Sequence, residues 1–274
     1  NDGELIVGER GPLPKSTPSY PEVCLHSLQD LDILNSREKV SFAVDEECKQ
    51  LYSEKIIPFW QGKSIRDKIF NEVSDEWKSA YEAGVFTEFQ EQRAPGHTVL
   101  GGKIYQKGLQ DIKEDIKQSL ANLDFFNDPE ALDKKEELTA MTITADAIIS
   151  FANRHSEELT RLAEQENDSV RKAELEDMAA ICRWVPANAP RNFWEALQYY
   201  WFVHLGVITE LNTWDSFNPG RLDQHLYPFY KKDIEEDRLT PEQAKELLQS
   251  FWIKFHNQPA PPKVGVTAKE SSTY

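Results

Sequence analysis

The sequence predicts a mostly α chain, and three observations carry that prediction. Helix-starting signatures recur along it, at Ser27 to Asp30, Asp45, Ser64 to Asp67, Ser74 to Trp77 and Thr240 to Gln243. Each places a side-chain acceptor where the first N–H groups of a helix need one. Apolar residues after these starts return at helical rather than alternating spacing. The run Phe193 to Leu211 is apolar or aromatic at nearly every position, including Trp194, Leu197, Tyr199, Tyr200, Trp201, Phe202 and Val203. That is the pattern of a helix buried on all sides, not of an amphipathic surface helix. Strand character is confined to the two ends, at Leu5-Ile6-Val7 and Val264-Gly265-Val266-Thr267.

Taken in order, the apolar patch at the start gives way to a coil in which Pro12, Pro14, Pro18 and Pro21 exclude regular helix. Ser27 to Asp30 open the first helix, and Asp45 caps a second carrying Cys48, Leu51, Tyr52, Ile56 and Ile57. Ser64 begins a third through Ile69 and Phe70, and Ser74 a fourth to Tyr81. Residues 84–98 read as a non-helical interruption in which Pro95-Gly96 makes a turn and a loop presents Arg93 and His97. Gly101-Gly102 closes it. A charged amphipathic helix is expected from Ile104 to about Leu123. Asp128-Pro129-Glu130 starts another, and a charge-rich helix over 155–182 reads as a solvated face. Pro186 and Pro190 break that helix before the buried one.

The stretch Asn212 to Tyr230 concentrates polar groups among aromatic ones. Asp215, Arg221, Asp223 and His225 stand with Trp214, Phe217, Tyr227, Phe229 and Tyr230, around a turn at Pro219-Gly220. A buried helix is expected to deliver Asp215 and Arg221 into the interior, where an ionised group has to be paired or used. Thr240-Pro241-Glu242-Gln243 then caps a helix through Leu247, Leu248, Phe251, Trp252 and Phe255, and Pro259, Pro261 and Pro262 lead to the terminal strand.

Composition narrows the function. A length of 274 residues allows one or two domains. A net charge of −16 and a pI near 4.9 argue against nucleic acid and anionic membrane surfaces as partners. No apolar run reaches the roughly 18 residues needed to span a bilayer. Asn1-Asp2-Gly3-Glu4 is acidic and does not read as a signal peptide. Cys24, Cys48 and Cys182 are odd in number and lack CxxC spacing, which favours reduced thiols in a cytoplasm over a disulfide scaffold or a zinc site. His155, His204 and His256 have no ligand spacing with an acid or cysteine, so no metal is expected. Both ends fall in strand-like sequence, and the expectation is a fragment of a longer chain, cut at both ends.

The residues alone leave the polar groups open. His97 reads as an ordinary loop histidine or as a functional one, Asp215 as a cap of the next turn or as a site residue, and Arg221 with Asp223 as structural ions rather than catalysts. No GxGxxG, P-loop, HExxH or GxSxG motif is present. A stand-alone helical binding or scaffold module fits the same pattern, although its ends would be expected to be capped and polar.

Four segments carry a resemblance. NDGELIVGE at 1 to 9, FTEFQEQRAPGHT at 86 to 98, WFVHLGVITELNTWDSFNPGRLDQHLYPFY at 201 to 230 and NQPAPPKVGVTAKESSTY at 257 to 274 resemble the glycyl radical enzymes, the pyruvate formate-lyase-like superfamily, in order and over the whole chain. The resemblance implies a ten-stranded α/β barrel in the full chain, with outer helices and barely a first strand in residues 1–274. It implies an organic radical on a backbone glycine, installed by a partner that uses S-adenosylmethionine and an iron-sulfur cluster, and an active-site cysteine that relays it. The glycine and that cysteine both lie outside 1–274. Cys24, Cys48 and Cys182 match no family cysteine, so the piece alone is expected to be inert. A homodimer is the family's common assembly.

Among the family's eliminases, the RAPGHT loop, the NTWDSF turn and the KESSTY end most resemble the branch that dehydrates trans-4-hydroxy-L-proline to a pyrroline carboxylate. By that resemblance Phe89 and His97 line the substrate pocket, Asp215 contacts the substrate, and Ser271 lies near its carboxylate. An apolar wall suits the ring, while His97 and Asp215 supply partners for its hydroxyl and ammonium. An isethionate sulfite-lyase stays open, because Arg93 suits a sulfonate. Choline or a diol is the further alternative, choline requiring an aromatic and acidic cage.

Overall fold

Local capping explains where most helices begin. The computed structural model describes residues 3–9, 11, 13–16, 21–22, 25–37, 41–85, 100–210 and 218–258. In it, α1 (Leu28–Ser36) opens on a reciprocal box: Asp30 N donates to Ser27 Oγ at 3.1 Å and Ser27 N donates to the Asp30 carboxylate at 2.8 Å. Asp45 caps α2 (Glu46–Leu51) by accepting from Cys48 N at 2.7 Å. The chain continues through a widened π turn, Tyr52–Ile56, into α3 (Ile57–Trp60). Pro58 has no N–H to donate back into the preceding turn, which favours the wider spacing there. Ser64 caps α4 (Ile65–Glu72) and Ser74 caps α5 (Asp75–Glu82).

The chain falls into two compact units, one of residues 1–8, 98–204 and 219–254, the other of residues 9–97, 205–218 and 255–274. The second unit contains α1 to α5, with a core of Leu31, Leu34, Phe42, Val44 and Tyr52. The first contains α6 (Leu109–Ala121), α7 (Ala131–Gln165), α8 (Ser169–Trp184), most of α9 (Phe193–Glu210), α10 (Leu222–Glu235) and most of α11 (Pro241–Asn257). Ala152, Leu159 and Ala163 of α7 meet Leu175, Met178 and Cys182 of α8 beneath Phe202 of α9. The expected box at Thr240 is present: Gln243 N donates to Thr240 Oγ1 at 3.2 Å and Thr240 N to Gln243 Oε1 at 2.9 Å.

The all-buried helix forms as its composition predicts. Tyr199, Trp201 and Leu197 are fully buried, and Tyr200 and Phe202 nearly so. Removing each such side chain from water contributes about 1.5–3 kcal/mol.

Three expectations need correction. The apolar start is not a strand; among the described residues no strand is formed. Side chains pair its backbone instead. Gln198 Oε1 accepts from Val7 N at 2.9 Å and Gln198 Nε2 donates to Val7 O at 2.7 Å. Trp194 Nε1 donates to Leu5 O and Trp201 Nε1 to Gly8 O. The terminal strand expected near Val264 lies outside the described residues. Next, α6 begins at Leu109, not Ile104, which sits in a 3-10 turn, Lys103–Tyr105. Tertiary contact sets that start: Leu109 N and Gln110 N donate to Pro186 O and Ala187 O at 2.8 and 3.0 Å. Gly108 lies so close to that turn that a Cβ would stand 2.3 Å from Ala187 O. Finally, α7 runs through residue 155 to Gln165, and the break falls at 166–168, where Asp168 caps α8 by accepting from Val170 N and Arg171 N.

Candidate functional site

The four residues expected to meet substrate, Phe89, His97, Asp215 and Ser271, lie outside the described residues, as do Arg93, Trp214 and Phe217. The elements that hold the chain on either side of two of those segments are described, and they can be built from the residues upward.

The first is α9, which leads directly into 211–217. Asn192 Oδ1 accepts from Glu195 N at 2.9 Å, as an N-cap does. Asp233, arriving from α10, accepts from Phe193 N at 2.7 Å with one oxygen and pairs with Arg238 at 2.6 Å through the other. Glu195 is almost wholly buried and is matched by Arg191, at 2.5 Å and through its backbone N–H at 2.7 Å. These partners let two carboxylates remain in the interior. Further along, Tyr199 Oη donates to Lys107 O at 3.1 Å, and Tyr200 Oη lies 3.1 Å from His204 Nδ1. Burial pushes both phenols well above the ordinary tyrosine range, with the Asp111 charge adding to the effect at Tyr199 and Tyr105 at Tyr200. Both stay neutral hydrogen-bonding groups at any physiological pH.

The second is the chain that follows 86–99. Leu100 takes a left-handed φ of 53°, uncommon for a branched side chain. The 3-10 turn follows and buries Ile104 completely. Tyr105, ending that turn, stacks on His225 in the first turns of α10, with ring centroids 5.0 Å apart and planes 20° from parallel. Phe229, one turn further along α10, lies 6.2 Å from Tyr105. A Cβ on Gly102 would stand 3.4 Å from His225 Cε1, so the imidazole rests against nearly bare backbone. One aromatic contact within the first unit thus links the 3-10 turn at Lys103–Tyr105 to the first turns of α10. The Tyr105 hydroxyl is buried without a hydrogen-bond partner, which costs about 1–3 kcal/mol, and burial drives its pKa upward. Sequence reasoning missed Tyr105; the Gly101-Gly102 pair ahead of it was the available signal.

Arg221 is not carried into the interior. It is exposed and pairs at 3.2 Å with Asp223, also exposed, at the start of α10. The Arg221 partner holds the Asp223 carboxyl below the usual carboxylate range. That ion pair is a surface one, worth little to stability. Cys182 is buried in the core, and the thiol of half-buried Cys48 is pushed up by burial and by the Asp45 charge. The raised pKa keeps Cys48 a thiol, and Cys182 packs as part of the core. Cys24 lies outside the described residues. Among the described residues no three acids, histidines or cysteines come together as a metal site, and no helix is long and apolar enough to cross a membrane. A cleft of about 300 Å³ opens beside Trp194, but its charged lining is largely satisfied by the Arg191–Glu195 and Arg238–Asp233 pairs.

Comparison with known proteins gives these elements their context. A family model described as pyruvate formate lyase-like matches residues 1–274. Trans-4-hydroxy-L-proline dehydratase of Clostridioides difficile is 53% identical over 274 residues, which cover 100% of this chain and 35% of that protein. The crystal structure of the hydroxyproline dehydratase from C. difficile with trans-4-hydroxy-L-proline bound superimposes with a TM-score of 0.86 at 53% identity, over 100% of this chain and 35% of that one. Isethionate sulfite-lyase of Oleidesulfovibrio alaskensis is 35% identical over 266 residues, 92% of this chain and 32% of that protein. The chain thus spans about a third of the length of the curated relatives it matches. Matched by the family model from its first residue to its last, and folded like the part it covers of the C. difficile hydroxyproline dehydratase, the chain belongs to the pyruvate formate lyase-like family.

Proposed function

We propose that this chain is the substrate-facing helical part of a glycyl radical lyase that removes water from trans-4-hydroxy-L-proline to give a pyrroline carboxylate. The single observation that carries the reading is the 53% identity to trans-4-hydroxy-L-proline dehydratase across all 274 residues. In this reading Phe89 supplies the apolar wall for the ring, His97 and Asp215 meet the hydroxyl and the ammonium, and Ser271 lies beside the carboxylate. Losing the hydroxyl as water requires a proton on the departing oxygen, and a histidine is suited to deliver one near neutral pH. Asp215 favours a zwitterion over an anion, which, with the lower identity of the isethionate enzyme, sets the sulfonate reading second despite Arg93.

A glycyl radical, installed by an activating enzyme that uses S-adenosylmethionine and an iron-sulfur cluster, supplies the hydrogen abstraction that starts such an elimination. The residues of this chain bind and orient. Cys48 and Cys182, one half-buried with a raised pKa and one in the core, do not fit the relay cysteine. A cytoplasmic homodimer belongs to the same reading.

The test uses the full-length enzyme. His97→Ala and Asp215→Asn each abolish dehydration of hydroxyproline while leaving the glycyl radical signal at wild-type intensity. Wild-type turnover in either variant removes that residue from the site.

A further inference from the structure

We propose that α9, with α8 and α11 beside it, forms a groove that binds a short peptide chiefly through the peptide's backbone, and that residues 4–8 are the ligand it holds in cis. The class of ligand follows from the contacts: an acidic residue, three apolar residues and a glycine.

Trp194, Gln198 and Trp201 follow one another at i, i+4 and i+7, and so share one face of α9. Each gives a side-chain polar group to the backbone of the segment. Trp194 Nε1 donates to Leu5 O at 2.8 Å and Trp201 Nε1 to Gly8 O at 2.9 Å. Between them the buried Gln198 amide takes both backbone groups of Val7, accepting from its N–H at 2.9 Å and donating to its C=O at 2.7 Å, as a neighbouring strand would. Arg171 of α8 adds a donor to Glu4 O at 3.1 Å. These bonds join the segment to helices far from it in sequence, as a ligand is joined to its receptor.

The two ends of the groove supply selectivity. At one, Lys254 of α11, its side chain 1% exposed, meets the Glu4 carboxylate at 2.9 Å. An ammonium that deep in the protein calls for an anion. At the other, Gly8 holds a φ of 122°, and a Cβ there would stand 2.9 Å from Trp201 Nε1, so glycine is the residue that fits. Leu5, Ile6 and Val7 are buried in between, and Val7 packs in the cluster that contains Met178 and Phe202. Groove and segment both belong to the first unit.

The test uses the full-length enzyme and a blocked, fluorescent peptide with the sequence of residues 3–8, GELIVG. Gly8→Val sets a side chain against Trp201 and displaces the segment while leaving the helices of the groove as they are. In that variant hydrogen–deuterium exchange over residues 3–8 speeds up at least about tenfold with α7 unchanged, and the peptide binds saturably by fluorescence anisotropy. The wild type, its groove filled in cis, takes up no peptide. Methylating the backbone nitrogen of the peptide's valine abolishes binding, because Gln198 loses the N–H it accepts from. Replacing the peptide's glutamate with glutamine weakens binding about tenfold, through the lost charge opposite Lys254. Gln198→Met, close to glutamine in size, is a second readout should Gly8→Val fail to fold: exchange over 3–8 speeds up while α7 keeps its rate. A segment still protected in either variant, no peptide binding once the segment exchanges freely, or full binding of the N-methylated peptide each overturns the proposal. So does faster exchange throughout α7 in both variants, which would make the segment an ordinary part of the core.

Discussion

Two helices of the first unit stabilise the protein in opposite ways. The part of α9 in that unit buries large aromatic side chains all round and ties their polar atoms to other segments, with Trp201 bonded to Gly8, Tyr199 to Lys107 and Gln198 to Val7. In α7, 35 residues long, the buried positions are only Ala131, Ala145, Ala152, Ser156, Leu159 and Ala163. Small side chains there let α8 approach closely enough for Ser156 Oγ to donate to Ala179 O at 2.7 Å, while Ile143 and Leu132 stay exposed. Helix length is therefore a poor guide to where stability sits. It sits where volume is buried and polar groups are matched, and here that is the helix that runs into the proposed site.

Substitutions can break or sharpen this contrast. The largest effect is expected at Trp201→Ala, which deletes a fully buried indole and its bond to Gly8 and should cost about 3–5 kcal/mol in urea unfolding. An intermediate effect is expected at Asp233→Ala. It strips Phe193 N of its acceptor at the buried start of α9 and leaves Arg238 without its buried carboxylate partner, for a loss of about 2 kcal/mol. The smallest is expected at Ile143→Ala on α7, within about 0.5 kcal/mol of the parent. A loss at Ile143 matching that at Trp201 would mean that an unseen surface covers α7, and that the two helices are alike in the working protein.

What the sequence made legible follows the range of the interactions involved. The starts at Ser27, Asp45, Ser64, Ser74 and Thr240 are set within three residues of the cap, so reading the cap is enough. The burial of α9 is written in its composition. The start of α6 is only partly local: Asp111 accepts from Gly108 N, but the N–H groups of Leu109 and Gln110 depend on carbonyls offered by Pro186 and Ala187. The same holds for the apolar start of the chain, whose run Leu5-Ile6-Val7 suggests a strand but whose backbone is paired by the side chains of α9. The break at Asp168 was local and was missed because the charge-rich stretch around it reads as continuous helix. In the polar stretch at 212–230, local pattern misjudged Arg221, which reaches solvent and pairs with Asp223. The Tyr105–His225 stack joins residues far apart in sequence, and no local rule would have paired them.

The account depends most on substrate recognition by the segments that hold His97 and Asp215. Isothermal calorimetry on the full-length, unactivated enzyme measures it without any need for the radical. The account predicts that trans-4-hydroxy-L-proline binds, that isethionate does not, and that His97→Ala and Asp215→Asn each weaken binding at least about tenfold, as expected when a buried polar group of the ligand loses its partner. Tight binding of isethionate with no heat from hydroxyproline, or hydroxyproline binding unaltered in both variants, would contradict it.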